Sequence, residues 1–156
     1  MNDIVSQVIN LLKERENSVL TYDFRNENHY STADFLKNQV IHIDGVNVMI
    51  LHKLLNLEEE HFICWVLEGL QFGIDFHFHL SSSMYQLIPL EILNWPIELY
   101  NEKNQRINMC PQKAITYQHM MNFTDRSILI RTKTQMITAL ADEVREKKQI
   151  KVIERF

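Results

Sequence analysis

Val40-Ile41-His42-Ile43-Asp44-Gly45-Val46-Asn47-Val48-Met49-Ile50-Leu51 is the stretch on which the fold turns. It reads as two β-rich runs around an Asp-Gly pair. Asp-Gly in that setting is the strongest short hairpin signal, because a type I′ turn needs positive φ at both central residues. Further along, the acidic run Glu58-Glu59-Glu60 precedes an apolar segment, His61–Leu67, that reads as another strand. Glu68-Gly69 then offers a second tight turn into a long strand near 70–80. Hairpins in succession predict an antiparallel sheet with one packed face and one wet face.

Outside this centre the pattern is mostly helical. Residues 3–16 place Ile4, Val5, Val8, Ile9, Leu11 and Leu12 at helical spacing, with Asp3 as the N-terminal cap. Residues 17–38 are polar with scattered aromatics and predict only a short strand at Val19–Tyr22 and a short helix up to Lys37. Residues 84–94 predict a buried segment broken by Pro89, and Ile97–Tyr100 opens one more hairpin whose return strand is Arg106–Met109. Pro111 suits the first turn of a helix over Gln112–Asn122, and a last helix is expected over about Lys133–Lys148. No internal repeat, low-complexity segment or linker is legible. The expected fold is a single α+β domain over residues 1–156, an antiparallel β-meander flanked by N-terminal and C-terminal helices.

Composition narrows the class. The chain has 156 residues, 46% of them hydrophobic, with three glycines and three prolines. That is enough for one buried core, and too little glycine for a phosphate-cradling loop. Two cysteines, Cys64 and Cys110, make neither a disulfide framework nor a four-cysteine zinc site. The N-terminus lacks a basic segment followed by an apolar core, and no apolar run approaches a membrane span. These features together predict a cytoplasmic protein with no membrane contact. The net charge of −4 is unevenly distributed: residues 126–156 carry eight Lys/Arg against four Asp/Glu, leaving eight against sixteen in residues 1–125. An acidic body argues against nucleic acid, whose binders present a basic face, and favours a basic protein partner steered by charge.

Candidate chemistry centres on Ile74-Asp75-Phe76-His77-Phe78-His79-Leu80. In a strand, alternation puts Ile74, Phe76, Phe78 and Leu80 on one face, with Asp75, His77 and His79 on the other. Two imidazoles and a carboxylate in one row are ligand types that suit zinc or manganese, with His42 and Asp44 as further donors. The alternative for this row is an ordinary half-solvated strand face, for which no cofactor is expected. Neither cysteine has an identifiable base nearby, and the Gly-x-Ser-x-Gly nucleophile pattern is absent.

The apolar-Asp-apolar-polar pattern at Asp75, followed by a hairpin, helices and the basic Arg131 or Lys133, resembles the later half of the nucleotidyltransferase fold. That resemblance implies a strand aspartate helping to hold metal and triphosphate. The Gly-Ser or Gly-Gly preceding a paired Asp-x-Asp is missing, so the implied relative is a degenerate one. Two functions are therefore expected. The first is a small protein-binding domain (toxin-neutralising, adaptor or chaperone-like) that docks a basic protein through a sheet edge and the surface Glu58, Glu59, Glu60 and Trp95, with Trp95 as an aromatic anchor. The second is a metal-dependent enzyme or metal-binding domain built on Asp75, His77 and His79. A partly uncovered sheet also leaves edge-to-edge pairing into a homodimer open.

Overall fold

A computed structural model describes residues 2–156. The element order is α1 (Asn2–Glu16), β1 (Val19–Asp23), α2 (Ala33–Lys37), β2 (Val40–Val46), α3 (Val48–Leu55), α4 (His61–Gln71), β3 (Asp75–Leu80) and β4 (Ile97–Asn101). Two 3-10 turns, Ser82–Leu87 and Leu90–Asn94, connect β3 to β4. The C-terminal part continues with β5 (Ile107–Met109), β6 (Ala114–Ile115), α5 (Tyr117–Asn122), β7 (Ile128–Thr132), β8 (Met136–Ile137), α6 (Ala139–Lys147) and β9 (Lys151–Arg155).

The sheets are parallel. Strands β1-β2-β3-β4 lie side by side in chain order, and β5-β7-β9 and β6-β8 form two smaller parallel sheets. The class α+β holds, but the antiparallel meander does not. Only the Tyr100–Arg106 bridge, where β4 gives way to β5, is antiparallel among the described residues.

The reason lies in the segments read as strands. Gly45 does have positive φ, +73°, but it serves a register break inside β2, between Ile43 and Val46, and not a turn. Asn47 then caps a helix, its side chain accepting from the Ile50 N–H at 3.0 Å. The apolar run after this cap buries Ile50, Leu51 and Leu54, a helical spacing. Likewise the expected strand His61–Leu67 is the first part of α4, which buries Phe62, Ile63, Trp65, Val66 and Gly69 at i, i+1, i+3, i+4 and i+7. Glu68-Gly69 therefore lies within a helix. Parallel neighbours need long crossovers, and α3 with α4 supply the one between β2 and β3.

The C-terminal half is a tandem arrangement that composition hides. A strand, a two-residue strand and a helix (β5, β6, α5) are followed by the same order (β7, β8, α6). Ile107 pairs with Ile128, and Ala114-Ile115 with Met136-Ile137. The predicted helices over 112–122 and 133–148 are each shortened at the start by these extra strands.

One core lies between the four-stranded sheet and the helices, with Ile41, Ile43, Phe76, Phe78 and Leu80 facing Phe35, Leu51, Leu54, Ile63 and Val66. A second, smaller core gathers Ile115, Met120, Leu129, Ala141 and Ile150. No helix among the described residues is long and apolar enough to cross a membrane.

Gly69 shows how closely α4 sits on the sheet. A Cβ there would lie 2.6 Å from Phe76 Cζ and 2.9 Å from Phe35 Cε1. Glycine to alanine in a helix ordinarily gains about 1 kcal/mol, whereas overpacking a core costs about 1–3 kcal/mol. Gly69→Ala is expected to lower stability by roughly 1–2 kcal/mol net, read as a lower urea midpoint with an unchanged slope. A midpoint equal to or above wild type would refute the close approach.

Candidate functional site: the histidine face of the parallel sheet

Alternation along four strands builds the site. In register across the sheet, Thr21 of β1 neighbours His42 of β2, His42 neighbours His77 of β3, and His77 neighbours Glu98 of β4. Two residues further along, His79 neighbours Tyr100. These residues occupy the face opposite Phe76 and Phe78, which are fully buried against the helices. A parallel sheet usually has apolar cover on both sides. Here the second side is polar and covers itself with its own rings.

Ring packing is continuous. The His42 centroid lies 4.7 Å from that of His77 and 5.2 Å from that of His79. Tyr100 lies 5.0 Å from His77 and stacks on His79 at 5.3 Å with an 18° interplanar angle. Glu98 ties the far side together. Its Oε2 is 3.2 Å from His77 Nε2 and accepts from the Tyr100 hydroxyl at 2.7 Å, while Arg106 pairs with Oε1 at 3.1 Å. His79 Nδ1 is 3.7 Å from Asp44 Oδ1, and its Nε2 is buried with no hydrogen-bond partner.

Burial decides the charge state. The His77 and His79 side chains are 19% and 14% exposed. Loss of water pulls both imidazoles below their ordinary pKa, an effect that Glu98 opposes at His77, and Asp44 and the Asn101 backbone oppose at His79, without overcoming it. At neutral pH both rings are neutral, each with one N–H and one basic lone pair. Burial, reinforced by the hydrogen bond to Glu98, pushes the Tyr100 hydroxyl up to about 12.

An open cleft of ≈ 680 Å³ borders this face, lined by Thr21, Arg25, His42, Asp44, His79 and Glu102 among others. Arg25 is committed to Asp23 by a bidentate pair at 2.9 and 2.7 Å. Backbone hydrogen bonding at Glu102 itself and bonds from Ser82 hold the Glu102 carboxyl below the usual carboxylate range. The cleft thus offers carboxylate and imidazole acceptors. It suits a ligand that donates hydrogen bonds.

The sequence candidates fall in different places. His77 and His79 are at the centre of the face. Asp75 begins β3 and is exposed at its rim. Among the described residues no group of three or more His, Cys, Asp or Glu side chains is arranged to hold a metal ion. His42 and Asp44 do share the histidine face. His61, the first residue of the run expected as a strand, lies away from this face and opens α4 beside Tyr30. Glu58, Glu59 and Glu60 are exposed at the corner between α3 and α4, with Glu60 paired to Lys53. Trp95 is half-buried against the main core and lines a cleft of ≈ 450 Å³ with Leu55 and Asn56, at the end of α3 that leads into that corner. Glu98, Tyr100 and Arg106 are site residues that sequence reasoning missed. The alternation Ile97-Glu98-Leu99-Tyr100 carries the same signal as β3.

Residues 3–151 match a family model, PDU-like, described as "Putative propanediol utilisation". No curated protein and no solved structure matches the chain.

The neutral rings tie stability to pH. Because the folded pKa values of His77 and His79 are depressed, the unfolded chain binds more protons once the pH drops under about 6.5. The stability they contribute is complete above that pH and is lost as pH falls through the folded values. The melting temperature of wild type is expected to fall more steeply below about pH 6.5 than that of a His77→Gln/His79→Gln variant. Parallel curves for the two proteins would refute neutral burial of the rings.

Proposed function

The chain belongs to the PDU-like family, and on that premise we propose that it is a binding protein for a small hydroxylated molecule of the diol class. One observation carries the reading: a polar sheet face with a buried, unpartnered imidazole nitrogen, His79 Nε2, beside an open cleft. Leaving such a nitrogen without a partner costs about 1–3 kcal/mol, which a ligand hydroxyl would recover. Asp44, Glu102 and the neutral imidazoles favour hydroxyl donors over anions, since a carboxylate or phosphate would meet like charge. Two adjacent hydroxyls fit two neighbouring acceptors. The family description, which names propanediol, supports the same ligand class.

A second reading is docking of a basic protein. It is favoured by the exposed carboxylates of Glu58 and Glu59, by Trp95 near that corner, and by β1, which ends the sheet order and leaves one edge unpaired within its sheet. This reading expects association whose rate falls with salt, and falls again in a Glu58→Gln/Glu59→Gln variant.

The primary reading is tested by titrating the protein with vicinal propanediol, and with propanol as control, while following imidazole NMR resonances. Saturable shifts at His42 and His79 for the diol are expected. His79→Leu should weaken binding about tenfold or more, from the loss of one buried acceptor. Shifts that never saturate, or that the control reproduces, would overturn it. Metal offered in the same assay distinguishes the row Asp75, His77 and His79 as a zinc or manganese site: stoichiometric uptake lost in His77→Ala/His79→Ala would replace the diol reading.

A further inference from the structure

α1 is a 15-residue helix, about 22 Å long, whose apolar side covers nothing. From Asp3 onward every residue of α1 except Arg15 is exposed. Its root is firmly held. Arg15 Nε donates to the Phe35 carbonyl at 2.9 Å and a terminal guanidinium nitrogen donates to the Phe72 carbonyl at 3.3 Å. The Arg15 carbonyl in turn accepts from the Gln39 N–H at 3.0 Å.

The exposed side chains are not scattered. Ile4, Val5, Val8, Ile9, Leu11 and Leu12 are each at least 45% exposed. At 3.6 residues per turn they share an arc of roughly 160°. The charged Asp3, Lys13 and Glu14 fall outside that arc, and Arg15 and Glu16, which fall within it, lie at the root beyond the apolar run. Isolated helices of this length are marginal in water, and most helical stability comes from packing an apolar face. Near the root the apolar surface continues, with Leu36 and Phe72 also half or more exposed.

We propose that α1 pairs with α1 of a second copy of this chain, antiparallel across a two-fold axis. Two features of the helix select this occupant. The first is area. Six such side chains offer on the order of 500–600 Å² of apolar surface per chain. Doubled, that reaches the lower bound of a specific interface, roughly 1,200 Å². The second is charge. An antiparallel pair centred on Val8 sets Ile4 against Leu12 and brings Asp3 of one copy level with Lys13 of the other along the helix axis. A parallel pair would place like charges together. Opposed helix dipoles favour the same orientation. Isologous pairing of this kind closes at the dimer.

Sedimentation equilibrium on the full chain through the micromolar range is the test. A reversible dimer is expected. Val8→Asp/Ile9→Asp should raise its dissociation constant at least a hundredfold while leaving near-ultraviolet circular dichroism unchanged, because neither residue touches a core. Asp3→Lys or Lys13→Asp alone should raise it by about threefold, because these charges on the helix flanks act on each other through water, and the double exchange should restore it. A wild-type monomer overturns the proposal, whether or not α1 then binds vesicles or another protein. A dimer indifferent to the Val8/Ile9 variant overturns it too. Charge variants without effect, or without rescue in the double exchange, overturn the antiparallel register.

Discussion

The alternation of β3 constrains every other part of the sheet. Phe76 and Phe78 point one way and are fully buried; His77 and His79 point the other. Because neighbouring strands run parallel, the chain must cross from the end of one strand to the start of the next. The crossover helices α3 and α4 both lie on the phenylalanine side, as the core contacts of Leu51, Leu54, Ile63 and Val66 show. Neither is left for the imidazole side. That face must satisfy itself, and it does so by stacking rings and by sharing the Glu98 carboxylate among His77, Tyr100 and Arg106.

Self-satisfaction is incomplete at one end, and the asymmetry is informative. His77 has Glu98 at 3.2 Å, whereas His79 has Asp44 at 3.7 Å and an unpartnered second nitrogen. The committed end of the row lies next to Arg106, where charge is balanced. The uncommitted end lies at the cleft, where Asp44 and Glu102 line the wall beside Arg25, Thr21, Ser81 and Asn104. A ring system that is closed on one side and open on the other supports the proposed reading, in which a ligand hydroxyl donates to the open end. Stacking fixes the ring planes in advance, so a ligand would lose little by ordering them.

Legibility in the sequence tracks period more than propensity. The row His77/His79 is readable because alternation over seven residues admits little else, and the inclusion of His42 and Asp44 on the same face comes from the same period. The antiparallel reading rests on Asp44-Gly45. That dipeptide supplies positive φ equally well to a turn or to a break in register, and only the residues after Val46 decide between them. Asn47 with Ile50, Leu51 and Leu54 marks a helix start, yet β-branched Val46, Val48 and Ile50 weigh toward strand. In α4 the spacing of Phe62, Ile63, Trp65, Val66 and Gly69 is helical throughout. The tandem C-terminal units stay hidden because their common elements are short: Ala114-Ile115 and Met136-Ile137 are strands of two residues.

The two exposed features of the molecule, the histidine face and α1, belong to different mechanical units. α1 is joined to the body through Arg15 and the contacts it makes to Phe35 and Phe72, on the helix side of the sheet. The cleft lies on the other side and is bordered by Thr21 of β1, whose partner in register is His42. Coupling between two sites needs an element whose equilibrium both of them bias. The connecting element is β1, a strand locked residue by residue to β2 from Val19 to Asp23. A rigid strand transmits no two-state change. The arrangement therefore puts the α1 surface and the histidine face on mechanically separate units, so that a contact at α1 would leave the chemistry of the face behind it unaltered.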